Sequence, residues 1–221
     1  MKKTGVEENT LVIFLSDNGA SDVSVKPLLD KPGETWRLDG KPTLVGNIPE
    51  HEPGSEATFM SAGAGWASVS NTPFRGHKNG NYEGGIATPC IVRWPAVIRD
   101  KGKTSSALGH IADLTATCLD VAGVAYPIEF AGRKVQPMYG QSLFPILRGE
   151  KCEGHAHLCW GTSGSKAIRE GNWKLVAGKD GPWELFDLST DRGETQDLAR
   201  KFPEHVQRME QRYLEWVKTG Q

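Results

Sequence analysis

Ser16-Asp17-Asn18-Gly19 sets a hydroxyl, a carboxylate and an amide in consecutive positions, directly after the apolar run Leu11-Val12-Ile13-Phe14-Leu15. In open α/β sheets, ligands bind beyond the carboxyl ends of the strands, so these four residues stand where a site would be. The same composition also makes a simple Asn-Gly turn, and the stretch alone does not choose between the two. A second concentration of reactive groups lies between Gly65 and Gly85, where Arg75, His77, Lys78 and Glu83 are set among glycines and small residues. Glycines let a backbone approach a ligand closely, and the basic groups suit an anion. Taken by itself this stretch reads as a well-ordered loop. Cys152, His155, His157 and Cys159 follow a C-x2-H-x-H-x-C spacing, unlike the closely paired thiolates of structural zinc sites. They read as ordinary strand and loop residues.

Positioning these groups requires a substantial fold, and 221 residues can bury a real core in one or two domains. Hydrophobic content of 38% and charged content of 24% are those of a globular protein, and a net charge of -1 offers nothing to nucleic acid or an anionic membrane. No apolar run approaches the ~20 residues needed to span a bilayer. Met1-Lys2-Lys3 imitates the start of an export signal, but the polar residues from Thr4 to Thr10 and the short apolar run after them do not continue it.

Five apolar residues in succession, Leu11 to Leu15, predict a strand of a parallel sheet covered on both faces by helices. Gly19 is expected there to let the backbone turn. Asp22 to Ala64 is a long connection broken by Pro27, Pro32, Pro42, Pro49 and Pro53, either a loop shaping a pocket or a plain surface insertion. Thr88 to Trp94 predicts a second strand and His110 to Val121 an amphipathic helix stopped by Gly123. Ser142 to Gly149 is a short helical turn. Ser165–Arg169, Trp173–Ala177 and Trp183–Leu188 predict an antiparallel meander, and Pro203 opens a closing helix carrying Val206, Met209, Tyr213, Leu214 and Val217 and ending near Gly220.

In order and spacing, these stretches resemble the C-terminal half of the sulfatases, in the alkaline-phosphatase-like α/β superfamily. The resemblance rests on Phe14-Leu15-Ser16-Asp17-Asn18-Gly19, Asn71-Thr72-Pro73-Phe74-Arg75-Gly76-His77-Lys78, Tyr82-Glu83-Gly84-Gly85 and Arg93-Trp94-Pro95. Weaker echoes are Asp113-Leu114-Thr115, Gly140-Gln141-Ser142-Leu143 and Glu184-Leu185-Phe186-Asp187-Leu188. The wording around Gly65-Trp66 is nearest the arylsulfatase subgroup. It implies an α/β core over 1–150 and a small C-terminal antiparallel sheet plus helix subdomain over 151–221. By the same resemblance Asp17 and Asn18 bind a divalent cation, Ca²⁺ or alternatively Mg²⁺, for which their hard oxygens are suited. Lys78 corresponds to the lysine that contacts the sulfate group. His77, its neighbour, is either a further substrate contact or a solvated loop histidine.

Sulfatases attack with a formylglycine made from the cysteine of a Cys-x-Pro/Ala-x-Arg motif. None of Cys90, Cys118, Cys152 or Cys159 stands in such a motif. The resemblance therefore implies a sulfuric ester hydrolase fragment, inactive alone, with formylglycine in an N-terminal half outside this chain. The alternative is a non-catalytic remnant or binding module on the same fold. Implied partners are a sulfate ester (aryl sulfate or sulfated sugar), the other half or a second copy, with no nucleic acid and no membrane. The family is usually periplasmic or secreted.

Overall fold

The computed structural model describes residues 1–26, 37–152, 154–162 and 164–219. Pro27, Pro32 and the Gly220 helix stop lie outside them. In chain order the elements begin with β1 (Val12–Leu15), β2 (Leu44–Val45), β3 (Thr58–Phe59), α1 (Gly63–Asn71) and α2 (Glu83–Ile86). Next come β4 (Cys90–Arg93), α3 (Asp113–Ala122), β5 (Glu129–Phe130), β6 (Arg133–Lys134) and α4 (Phe144–Leu147). The chain closes with β7 (Leu158–Thr162), β8 (Ser165–Glu170), β9 (Trp173–Ala177), β10 (Glu184–Asp187) and α5 (Pro203–Lys218). They form two compact units, residues 1–17 with 89–158 and residues 18–88 with 159–221.

In the first unit β1 pairs with β4 antiparallel, Val12 opposite Arg93 and Phe14 opposite Ile91. This corrects the expectation of a parallel strand buried on both faces: Phe14 is 71% exposed and Ile91 62%. An unbroken apolar run reports a wish for cover, not the direction of the neighbouring strand. Elsewhere in the unit α3 carries its N-terminal Asp113 fully buried and ends at Gly123, which takes φ +65° and so closes the helix in the left-handed conformation.

In the second unit β7 to β10 form one sheet in the order β10-β9-β8-β7, the meander expected from the sequence. Gly171 at φ +55° makes the tight turn between β8 and β9. Alternation gives β9 two different faces. Leu175, opposite Ile168 and Leu185, joins Met209 and Tyr213 of α5 in the core. Each such fully buried aliphatic side chain contributes roughly 2 kcal/mol. Lys174, on the other face, lies opposite Arg169 and Phe186 and is also wholly buried. The core face of α5 is Val206, Met209, Tyr213 and Trp216. Leu214 and Val217, expected on that face, are exposed, because 100° per residue carries them past its edge.

Between 37 and 62, β2 and β3 make a short parallel bridge. This loop shapes an open groove of about 620 Å³ lined by Pro49, Phe59, Met60 and Trp66 among others. Two helices, α1 and α2, stand where the glycine-rich stretch from Gly65 to Gly85 read as loop. Small residues carry too little periodicity to announce them.

Candidate functional site

Beyond β1 the chain runs through Ser16 and Asp17, both exposed, into the half-buried Asn18. The Asn18 Nδ2 donates to Gly19 O at 3.0 Å, which fixes the side-chain amide against its own backbone. Gly19 is buried, and its N–H donates to Gly85 O at 2.9 Å. A Cβ at Gly19 would stand 1.8 Å from Gly84 O. Glycine is required here by close approach and not by a left-handed φ.

The same intolerance recurs along the stretch Gly19 rests on. A Cβ at Gly84 would meet Gly76 O at 2.3 Å, and one at Gly85 would meet Gly80 O at 2.1 Å. Three backbone segments, 18–20, 75–80 and 84–85, are thus packed against one another without intervening side chains. Asn71, the last residue of α1, staples them: its Oδ1 accepts from Ala20 N at 2.8 Å while its Nδ2 donates to Gly76 O at 3.0 Å. Lys78 N–H donates to Ala20 O at 3.0 Å, so Asn18 and Lys78 flank one hydrogen-bonded joint. The Lys78 side chain is exposed, and among the described residues no carboxylate pairs with it.

His77 is half-buried. Ser68 Oγ donates to Ala64 O at 2.8 Å and stands 3.1 Å from His77 Nε2, so the shared proton between them belongs to the imidazole. Its other nitrogen lies 3.8 Å from Asp22 Oδ2. The ring is therefore fastened to α1 rather than loose in solvent.

Behind this surface lies a group of buried charges. Lys174 Nζ donates to Glu83 Oε1 at 2.9 Å and approaches Glu194 Oε1 at 2.8 Å without hydrogen-bond alignment. The other Glu194 oxygen accepts the Glu83 N–H at 2.6 Å, at the start of α2. Arg192 and Arg169 approach Glu83 Oε2 at 3.5 and 4.0 Å. Burial pushes the Glu83 carboxyl up, but Lys174 and the two arginines outweigh it and hold it below the usual carboxylate range. For Glu194, burial outweighs Lys174 and the bond from the Glu83 N–H, the Glu83 carboxylate adds to the rise, and the group titrates above that range. Beside the group, burial and the bond from its hydroxyl to Glu184 at 2.6 Å push the Tyr82 phenol up to about 12.

Of the cysteines and histidines between 152 and 159, Cys159 and His155 have separate partners. Cys159 belongs to the hydrophobic core, where burial and then Glu170 push its thiol up to about 12. His155 Nε2 meets Asp113 Oδ1 at 2.7 Å under the ring of Tyr139. Among the described residues no three acids, histidines or cysteines are grouped to hold a metal. Sequence reasoning missed Lys174 and Glu194 as partners of the site. Lysine in the middle of an apolar strand, Trp173-Lys174-Leu175-Val176, was the one available signal.

The model of the family described as Sulfatase matches residues 1–124, and that described as N-sulphoglucosamine sulphohydrolase, C-terminal, matches residues 77–218. The chain belongs to the sulfatase family. It is 31% identical over 230 residues to an uncharacterized sulfatase of Schizosaccharomyces pombe, covering 100% of this chain and 40% of that one. To the arylsulfatase of Klebsiella aerogenes it is 33% identical over 148 residues, 66% of this chain and 30% of the relative. Ps i-CgsB, solved also in complex with k-i-k-neocarrahexaose, shares the fold at TM-score 0.64 and 21% identity, over 97% of this chain and 38% of its own. The chain thus spans less than half the length of these relatives.

Proposed function

We propose that this chain supplies the sulfate-holding and part of the cation-holding surface of a sulfuric ester hydrolase. The observation that carries the reading is the joint between Lys78 N–H and Ala20 O, which fixes the backbone of an unpaired lysine beside that of Asn18. Lys78 is the sulfate contact, because an ammonium neutralises charge that shifts among the sulfate oxygens as the ester bond breaks. His77 is a substrate contact at the same edge, held by Ser68.

Asp17 and Asn18 fit a hard divalent cation, Ca²⁺ or Mg²⁺, as one carboxylate and one amide oxygen. Bound there, the cation would supply positive charge to the sulfate. Calcium takes about six to eight oxygens, so these two residues hold it only weakly unless further donors complete the shell. The nucleophile is a formylglycine outside these 221 residues, since none of the four cysteines stands in the required motif. The substrate is a sulfate ester of an aryl or sugar alcohol. The complex of Ps i-CgsB with k-i-k-neocarrahexaose supports the sugar.

Equilibrium binding of p-nitrophenyl sulfate, followed at the Lys78 amide by NMR, tests this reading. Saturable binding is expected, weakened at least tenfold in Lys78→Met, with no release of p-nitrophenol. Equal binding by the variant contradicts the assignment of Lys78. Turnover by the pure chain that is lost in Asp17→Ala contradicts the placement of the nucleophile elsewhere.

A further inference from the structure

Glu83 begins α2, and the two residues after it, Gly84 and Gly85, are those against which Gly19 is packed. The orientation of α2 therefore sets where the Asn18 and Lys78 backbones lie. α2 has only four residues and no side-chain cap of its own, too short to hold its direction unaided. What holds it comes from far along the chain. Glu194, wholly buried and at φ +55°, accepts the Glu83 N–H, and Lys174 of β9 lies between the two carboxylates. Lys174 in turn is fixed because β9 is hydrogen-bonded on both sides and its opposite face is anchored in the α5 core.

We propose that Lys174 is a positioning residue of the sulfate site, acting through Glu83 and Glu194 on the Gly84–Gly85 step that seats Gly19. A lysine whose role were confined to the sheet would not need two acids from outside it. An apolar residue suits that role better at a strand position with no exposure to solvent. The cluster instead ties the C-terminal sheet to the surface bearing Asn18 and Lys78. The proposal rests on the sulfate reading for its functional meaning, but its structural content can be read without any ligand.

Amide hydrogen exchange in the full chain provides that reading. In Lys174→Met, exchange at Gly19 and Lys78 should rise at least tenfold more than at Met209 and Tyr213 in α5, whose rise reports the loss of global stability alone. A uniform rise across all four, or none at Gly19, overturns the proposal. Glu194→Gln keeps an oxygen for the Glu83 N–H and removes only the charge, so it should fold and raise Gly19 exchange about threefold. If Lys174→Met does not fold, the Glu194→Gln result decides alone, and an unchanged Gly19 amide overturns the proposal. Where wild type binds p-nitrophenyl sulfate, Lys174→Met should weaken it about fivefold. A wild type that fails to bind refutes the sulfate reading, and the exchange data still decide the positioning role.

Discussion

Asp113 in the first unit and Glu83 in the second are both removed from water, yet they are kept there by opposite means. Asp113 accepts from the His110 and Gln141 backbone N–H groups and from His155, partners 3, 28 and 42 residues away. Glu83 is met by Lys174 and Arg192, 91 and 109 residues away. Two backbone donors and one imidazole hold that carboxylate, and each can be lost separately. A buried ammonium between two carboxylates is a unit, because removing the centre leaves uncompensated charge. The first arrangement divides its hold among separate bonds, and the second makes distant parts of the chain depend on one shared charge.

The difference should be largest in stability. Lys174→Met strands two buried acids and should cost about 3–5 kcal/mol in urea denaturation. Asp113→Ala removes the acceptor shared by two backbone N–H groups and the His155 ring and should cost about 2 kcal/mol. Equal costs would erase the contrast, and a larger one at Asp113 would invert it.

Protonation sharpens it further. Glu83 is held below its ordinary value of 4.5, so its contribution is present above about pH 4.5 and lost as the pH falls through its folded-state value. Glu194 is raised above 4.5, so its contribution is present below about pH 4.5 and is lost as the pH rises through its folded-state value. Glu194→Gln removes that loss. The stability of the variant relative to wild type should therefore increase between pH 4.5 and 7, and a constant difference across that range contradicts the assignment. The smallest effect is at the rim of the cluster. Tyr82→Phe should cost about 1 kcal/mol and remove a tyrosine absorbance step near pH 12.

Legibility in the sequence followed the range of the interactions. The β8–β9–β10 meander, α3 with its Gly123 stop, and α5 opened by Pro203 were all readable, because turn residues and periodicity are local signals. Asp17, Asn18, His77 and Lys78 were singled out by motif, and the structure brings Asn18, His77 and Lys78 to one backbone joint. The antiparallel pairing of β1 was not readable, since Leu11 to Leu15 carries no mark of its neighbour's direction. Nor was the reason for Gly19, which depends on a peptide oxygen 65 residues further on at Gly84. Lys174 reads as a surface residue by type. Only the fold reveals the acids on either side of it.

On the proposed reading the amide oxygen of Asn18 and the ammonium of Lys78 serve one ligand. Linkage tests it most directly, because a cation and a sulfate ester that meet must change each other's affinity by the same factor. The measurement is the dissociation constant of p-nitrophenyl sulfate for the chain, with and without saturating calcium. Calcium should tighten binding at least fivefold in wild type and leave Asn18→Ala unchanged. A dissociation constant indifferent to calcium in wild type would contradict a shared site.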